Sequence, residues 1–225
     1  MKIIASVTRS LGILLVLLGC AAPCTASADD LSRPITLVAT PRLENSEFSE
    51  TVLFAAPLPN GMHIGFIVNR PSNVALATAF PEHVASRKVV DPVYIGGPVL
   101  PGRVFAVVRT PPKDAENLLQ LMPGLVLAMD RAAIDRIIET TPNDARYFVG
   151  LLVWQPGELD EEVRAGAWEV SPADASAVFS THPEMLWKTL LHGGVRLEAR
   201  WHANGSILAE TLARSNSDKR ARSAG

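Results

Sequence analysis

Three short segments hold the residue types that could do chemistry: Asn69-Arg70-Pro71, Gly96-Gly97-Pro98 and Trp154-Gln155-Pro156-Gly157-Glu158-Leu159. Each closes a strand-like run, and a loop that spends glycine and proline on a special backbone at a strand end is a usual place for a site. The chemistry they suit is anion binding with proton transfer. The Arg70 guanidinium and the amides of Gly96 and Gly97 would hold a negative group, and Glu158 or Glu162 would move a proton. The same residues also read as tight turns. Arg70 would then brace them through a carboxylate of Glu158 or Glu162, or through backbone carbonyls of a neighbouring loop. On both readings Asn69, Arg70, Pro71, Gly96, Gly97, Pro98, Trp154, Gly157, Glu158 and Glu162 should gather on one side of the domain. Trp154 or Trp168 should pack against that assembly.

No catalytic set completes the picture. The chain contains no G-x-S-x-G elbow, no phosphate loop of the G-x-x-x-x-G-K-[ST] type, no G-x-G-x-x-G and no H-E-x-x-H. His63, His83, His182, His192 and His202 are scattered, and Cys20 and Cys24 both precede Asp29, so the body offers neither a thiolate nor a zinc set. No metal and no cofactor is expected. Asp160-Glu161-Glu162 looks like paired carboxylates, but its place in the first turn of a helix suits the helix dipole without further chemistry.

The elements that must position these residues alternate between strand and helix. Ile35–Ala39, Thr51–Ala56 and Met62–Asn69 read as strands, the last two joined by the Asn60-Gly61 turn. Val74–Phe80 is weakly helical. Val93–Ile95 and Val104–Arg109 are strands, Lys113–Met122 is helical in composition, and Leu125–Met129 is a short buried strand. Asp130 caps a helix whose Ala133, Ile134, Ile137 and Ile138 share one face, which should cover Leu151 and Val153. Tyr147–Trp154 is an unbroken apolar run, hence a central strand. Gly157–Ala165 is a short helix stopped by Gly166. Proline at Pro172 and Pro183 opens two further helices, the second ending at Gly193-Gly194. Arg196–Trp201 and Ser206–Leu212 suit a closing hairpin. One α+β domain over residues 29–212 is the expected organisation, followed by a disordered basic tail over 213–225.

The first 28 residues read as an address. Lys2 and Arg9 precede the apolar run Leu11–Leu18, which is the pattern of a secretory signal peptide and is too short to span a bilayer. Ala26-Ser27-Ala28 suits cleavage before Asp29. Leu17-Leu18-Gly19-Cys20 suits a lipobox, with Cys20 as the lipidated residue and the membrane reached only through that anchor. Without the leader and the tail, 15 basic residues stand against 22 acidic ones, a body of net charge −7. Such a body repels a phosphate backbone, so no nucleic acid is expected as partner. Export, to the periplasm or to a membrane as a lipoprotein, is the expected location, and the sequence leaves the oligomeric state open.

The stretches TLVATPRLENSEFSETVLFAAPLPNGMHIGFIVNRPS, VYIGGPV and VGLLVWQPGELDEEVRAGAWEVSPADASAVF, in this order and spacing, resemble the YqgE/AlgH family from about Ile35 to Leu191. The resemblance implies a compact α+β domain with a bifurcated, barrel-like mixed sheet. It places Asn69, Arg70, Pro71, Gly96, Gly97, Pro98, Trp154, Gly157, Leu159, Glu162 and Trp168 on the family's motif positions. Ala56-Pro57 stands where the family usually has Glu-His, Glu158 where it has Gln, and Leu151-Leu152-Val153-Trp154 where it has Tyr-Ala-Gly-Trp. The resemblance carries no established activity, only a transcriptional-regulator label. With the leader, it favours a non-catalytic binding or accessory protein of the cell envelope, its partner an envelope protein or a small ligand. The alternatives are a hydrolase with a cleft around Arg70 and Glu158 or Glu162, and transcriptional regulation.

Overall fold

Apolar alternation and the turn residues between apolar runs build ten strands among residues 31–191, the part of the chain that the computed structural model describes. In chain order they are β1 (Ile35–Ala39), β2 (Val52–Pro57), β3 (His63–Ile67), β4 (Pro71–Ala75), β5 (Pro92–Ile95), β6 (Val99–Val108), β7 (Leu118–Met122), β8 (Leu125–Ala128), β9 (Ala145–Trp154) and β10 (Trp168–Pro172). The helices are α1 (Leu76–Ala79), α2 (Arg131–Thr140), α3 (Glu158–Arg164), α4 (Ala175–Val178) and α5 (residues 183–191). The leader-like stretch, the 196–212 hairpin and the basic tail lie outside the described residues.

The sheet runs β10-β1-β2-β3-β9-β6-β8-β7, and β4 and β5 branch from it where β5 pairs with β9. It curls into a half-barrel, one α+β domain with a mixed, bifurcated sheet as the resemblance implies. The Asn60-Gly61 turn joins β2 to β3, with Gly61 at φ +81°. The Asp130 carboxylate accepts from the Ala133 amide at 2.9 Å and starts α2.

Three apolar clusters share the faces of this sheet, and Gly150 explains how β9 serves all of them. Ala145 and Tyr147 face α2, while Phe148 faces the interior of the curl. Beyond Gly150, whose backbone is left-handed at φ +70°, Leu151 faces the interior and Leu152 and Trp154 face α3. A left-handed glycine turns the backbone and exchanges the faces of the strand beyond it. The expected packing of Ile134, Ile137 and Ile138 on Leu151 and Val153 is therefore corrected: these isoleucines pack with Ala145 and Tyr147, before Gly150.

Two further expectations change. Lys113–Met122 is not a helix. Its last five residues form β7, which turns through Pro123-Gly124 and pairs with β8, because half-buried Leu119 and buried Leu121 gain more from the sheet than helix propensity offers. Pro172 does not open a helix. It closes β10, and Asp174 caps α4 by accepting from the Ser176 amide at 2.8 Å.

Candidate functional site

Gly96 and Gly97 carry the chain across β9 with backbone against backbone. Gly96 donates to the Val149 carbonyl at 2.8 Å and accepts from the Ile67 amide at 2.9 Å. A Cβ on Gly96 would lie 2.3 Å from the Gly150 carbonyl oxygen, and one on Gly97 would lie 2.4 Å from that of Leu151. A Cβ on Gly150 would lie 2.1 Å from the Gly97 oxygen. Glycine is required at this crossing by contact alone. Past it, Val99 pairs with Leu151, and residues 98–103 stand exposed. Ile95, Val99 and Leu100 keep 49%, 37% and 46% of their surface, forming an apolar ridge on both sides of the crossing, with Leu100 held at φ +54°.

Asn69-Arg70-Pro71 adjoins this crossing. The Asn69 side-chain oxygen accepts from the Val52 amide at 2.8 Å, and its amide donates to the Glu50 carbonyl at 2.9 Å. The Arg70 carbonyl accepts from the Ile95 amide at 2.9 Å, and Pro71 pairs with Tyr94. The Arg70 guanidinium donates to the Ser49 carbonyl at 3.3 Å, the neighbouring-loop alternative. Partial burial lowers the Arg70 pKa from its ordinary value, and the Glu47 carboxylate opposes that shift.

Trp154–Leu159 lies elsewhere. Trp154 pairs with His63 at the first residue of β3, whereas Arg70 follows its last. Roughly 20 Å of strand separates them at ~3.3 Å per residue. Here Glu158 accepts from the Gln155 amide at 2.7 Å, and Gly157 caps α3 at φ +89°. One Glu162 oxygen accepts from both buried indoles, at 3.1 Å from Trp154 Nε1 and 2.7 Å from Trp168 Nε1. A cavity of about 240 Å³ beside them is lined by His63, Gly157, Leu159 and Asp160, and His63 is bonded to the Leu31 carbonyl at 2.9 Å. The structure thus joins the first two segments and leaves the third apart. Arg70 does not meet Glu158 or Glu162, and a hydrolytic cleft built on them is not formed.

Sequence reasoning missed Arg146, although a charge inside the apolar run of β9 is itself a signal. Its side chain is 5% exposed, and its Nη1 donates to the Tyr94 hydroxyl at 2.8 Å and to the Ser180 carbonyl at 3.0 Å. Its Nη2 meets Asp91 at 3.0 Å. Burial raises the Tyr94 pKa, the Arg146 charge opposes this, and Asp91 and Glu184 add to it. With Arg109 stacked 4.0 Å over the Phe179 ring, Arg146 fixes the turn between α4 and α5. Among the described residues no three His, Cys, Asp or Glu side chains are grouped to hold a metal ion.

Comparison with known proteins agrees with this architecture. A family model described as AlgH-like, DUF179, matches residues 36–195. A UPF0301 protein of Chlorobium luteolum is 33% identical over 156 residues, 67% of this chain and 79% of its own. A UPF0301 protein of Myxococcus xanthus is 31% identical over 164 residues, 71% and 89% respectively. The solution structure of the AlgH protein from Pseudomonas aeruginosa superposes with a TM-score of 0.60 at 24% identity, covering 76% of this chain and 91% of that one, which speaks to the fold. A crystal structure from Corynebacterium diphtheriae gives a TM-score of 0.58 at 29% identity, covering 71% and 85%. These findings correct one expectation. The matches give no support for an export or envelope role, so an accessory protein of the cell envelope is not what the kinship supports.

Proposed function

The chain belongs to the AlgH-like family, and from that premise we propose that it is a protein-docking module whose contact surface is the ridge from Ile95 to Leu100. One contrast supports this reading: the polar motif residues are engaged inside the fold while the apolar side chains around the glycine crossing face outward. Asn69, Arg70, Glu158 and Glu162 each bond a backbone or indole group of the same chain. Ile95, Val99 and Leu100 keep between about a third and a half of their surface in solvent, and exposed apolar residues near one another mark interaction surfaces. Gly96, Gly97 and Pro98 hold that ridge on a backbone with little freedom to move, which lowers the ordering cost of binding. The partner is a protein with a complementary apolar face. Affinity capture from host-cell extract, with the wild type and an Ile95→Asp/Leu100→Asp variant as baits, tests the reading. The wild type should retain a protein that the equally folded variant loses, and equal recovery by both overturns it.

Location is a separate inference, carried by residues 1–28 alone. The basic start, the apolar run and Ala26-Ser27-Ala28 support removal of a leader before Asp29, with a lipidated Cys20 as the other product. Intact mass of protein made in its own cells separates these two from an unprocessed Met1 chain, which would contradict both.

A further inference from the structure

We propose that Arg103 sets the partner class of the Ile95–Leu100 ridge: a protein segment that carries a carboxylate next to its apolar contact side chains. The inference rests on the docking reading of that ridge and adds the charge of what docks there. Val99 pairs with Leu151 and Val104 with Val149, so residues 100–103 swing out of the pairing with β9 and return to it. Leu151 and Val149 are two positions apart, which closes the excursion across roughly 7 Å at ~3.3 Å per residue. Pro101-Gly102 forms its tip, and Leu100 and Arg103 stand at its two feet, both exposed. The arginine thus borders the apolar ridge.

Charge decides what fits there. Arg131, Arg136 and Arg164 pair with Asp135, Asp114 and Asp160, and Arg70 donates to the Ser49 carbonyl and faces Glu47. Arg103 differs: among the described residues its side chain has no hydrogen-bond or ion-pair partner. It is the one charged residue in the stretch 92–108, and neither β4 nor the β9 stretch 147–154 contains another. In a body of net charge −7 the ridge is therefore bordered by a single cation with no acid on its own strands. A charge at the rim of an apolar contact steers the partner and rejects like charge. A guanidinium accepts a planar carboxylate in two parallel hydrogen bonds, and Leu100 and Val99 need apolar contact at the same time. A polypeptide offers both. A nucleic acid offers charge without the apolar face and is repelled by the acidic body.

The probe is a displayed library of random dodecapeptides, selected separately on the full wild-type chain and on Arg103→Glu, whose exposed position should leave folding as in the parent. Wild type should enrich Asp or Glu next to large apolar residues, and Arg103→Glu should enrich Lys or Arg in their place. A peptide selected on the wild type should bind Arg103→Glu about tenfold or more weakly, bind Arg103→Lys with a smaller loss, and weaken as salt rises. Acid-free peptides from the wild type, or the same peptides from both selections, overturn the proposal. If those peptides fail to bind Ile95→Asp/Leu100→Asp, the docking reading itself stands. Peptides that bind this double variant as well as the wild type overturn the docking reading and the proposal together, and so does a selection on the wild type that enriches nothing.

Discussion

Glu162 shows how a motif carboxylate can look reactive and yet be structural. Its oxygen joins the indoles of β9 and β10, and Phe48 packs edge-on to Trp168 with ring centroids 5.9 Å apart. Glu162→Ala leaves two buried N–H groups without an acceptor and should cost roughly 2–4 kcal/mol in urea unfolding. A loss near zero would return Glu162 to the list of reactive groups. Tyr147 makes a pH prediction. Its phenol is buried against α2, and desolvation raises its pKa above the ordinary value. A raised folded-state pKa means that the unfolded chain loses the proton first. The contribution is intact below the unfolded value of about 10 and is lost as pH rises above it. Tyr147→Phe, which gives up a 3.2 Å bond to the Pro142 carbonyl, should flatten the alkaline fall in stability. A fall as steep as the parent's would contradict this.

At the element scale the glycine crossing decides the architecture. Gly150→Ala places a methyl on the Gly97 oxygen and forces alanine to positive φ, so it should cost roughly 3 kcal/mol or more. A fully stable variant would mean that the crossing is not as tight as described. Ile137→Ala, at a fully buried site, should cost ~2–5 kcal/mol by cavity formation. Local pattern revealed much of this level: the Asn60-Gly61 turn, the Asp130 cap and the apolar face of α2 are all written in short windows of sequence. What it hid was long-range. Nothing near Gly150 states that a crossing segment from residues 96–97 lies against it and that its left-handed backbone reverses the faces of β9. The strand at 118–122 owes its state to pairing with β8, and the strand at 168–172 to pairing with β1. Of the three candidate loops, two share the crossing because Ile95 bonds to Arg70. The third left the group because β3 and β9 are antiparallel, which puts Trp154 beside His63.

At the scale of the molecule, a curled sheet buries its interior under α4 and α5 and its outer faces under α2 and α3, and leaves the Ile95–Leu100 ridge in solvent. The central claim is that the polar motif residues hold the fold while the ridge meets a partner. Asn69→Ala and Leu100→Asp, compared side by side in urea unfolding and in affinity capture, test it most directly. Asn69→Ala removes the acceptor of the Val52 amide and should lose about 1–3 kcal/mol of stability while keeping the captured protein. Leu100→Asp, on an exposed position, should stay within about 0.5 kcal/mol of the parent and lose the captured protein. The opposite pattern, with Asn69→Ala stable but unable to bind and Leu100→Asp binding as the parent does, would contradict the account.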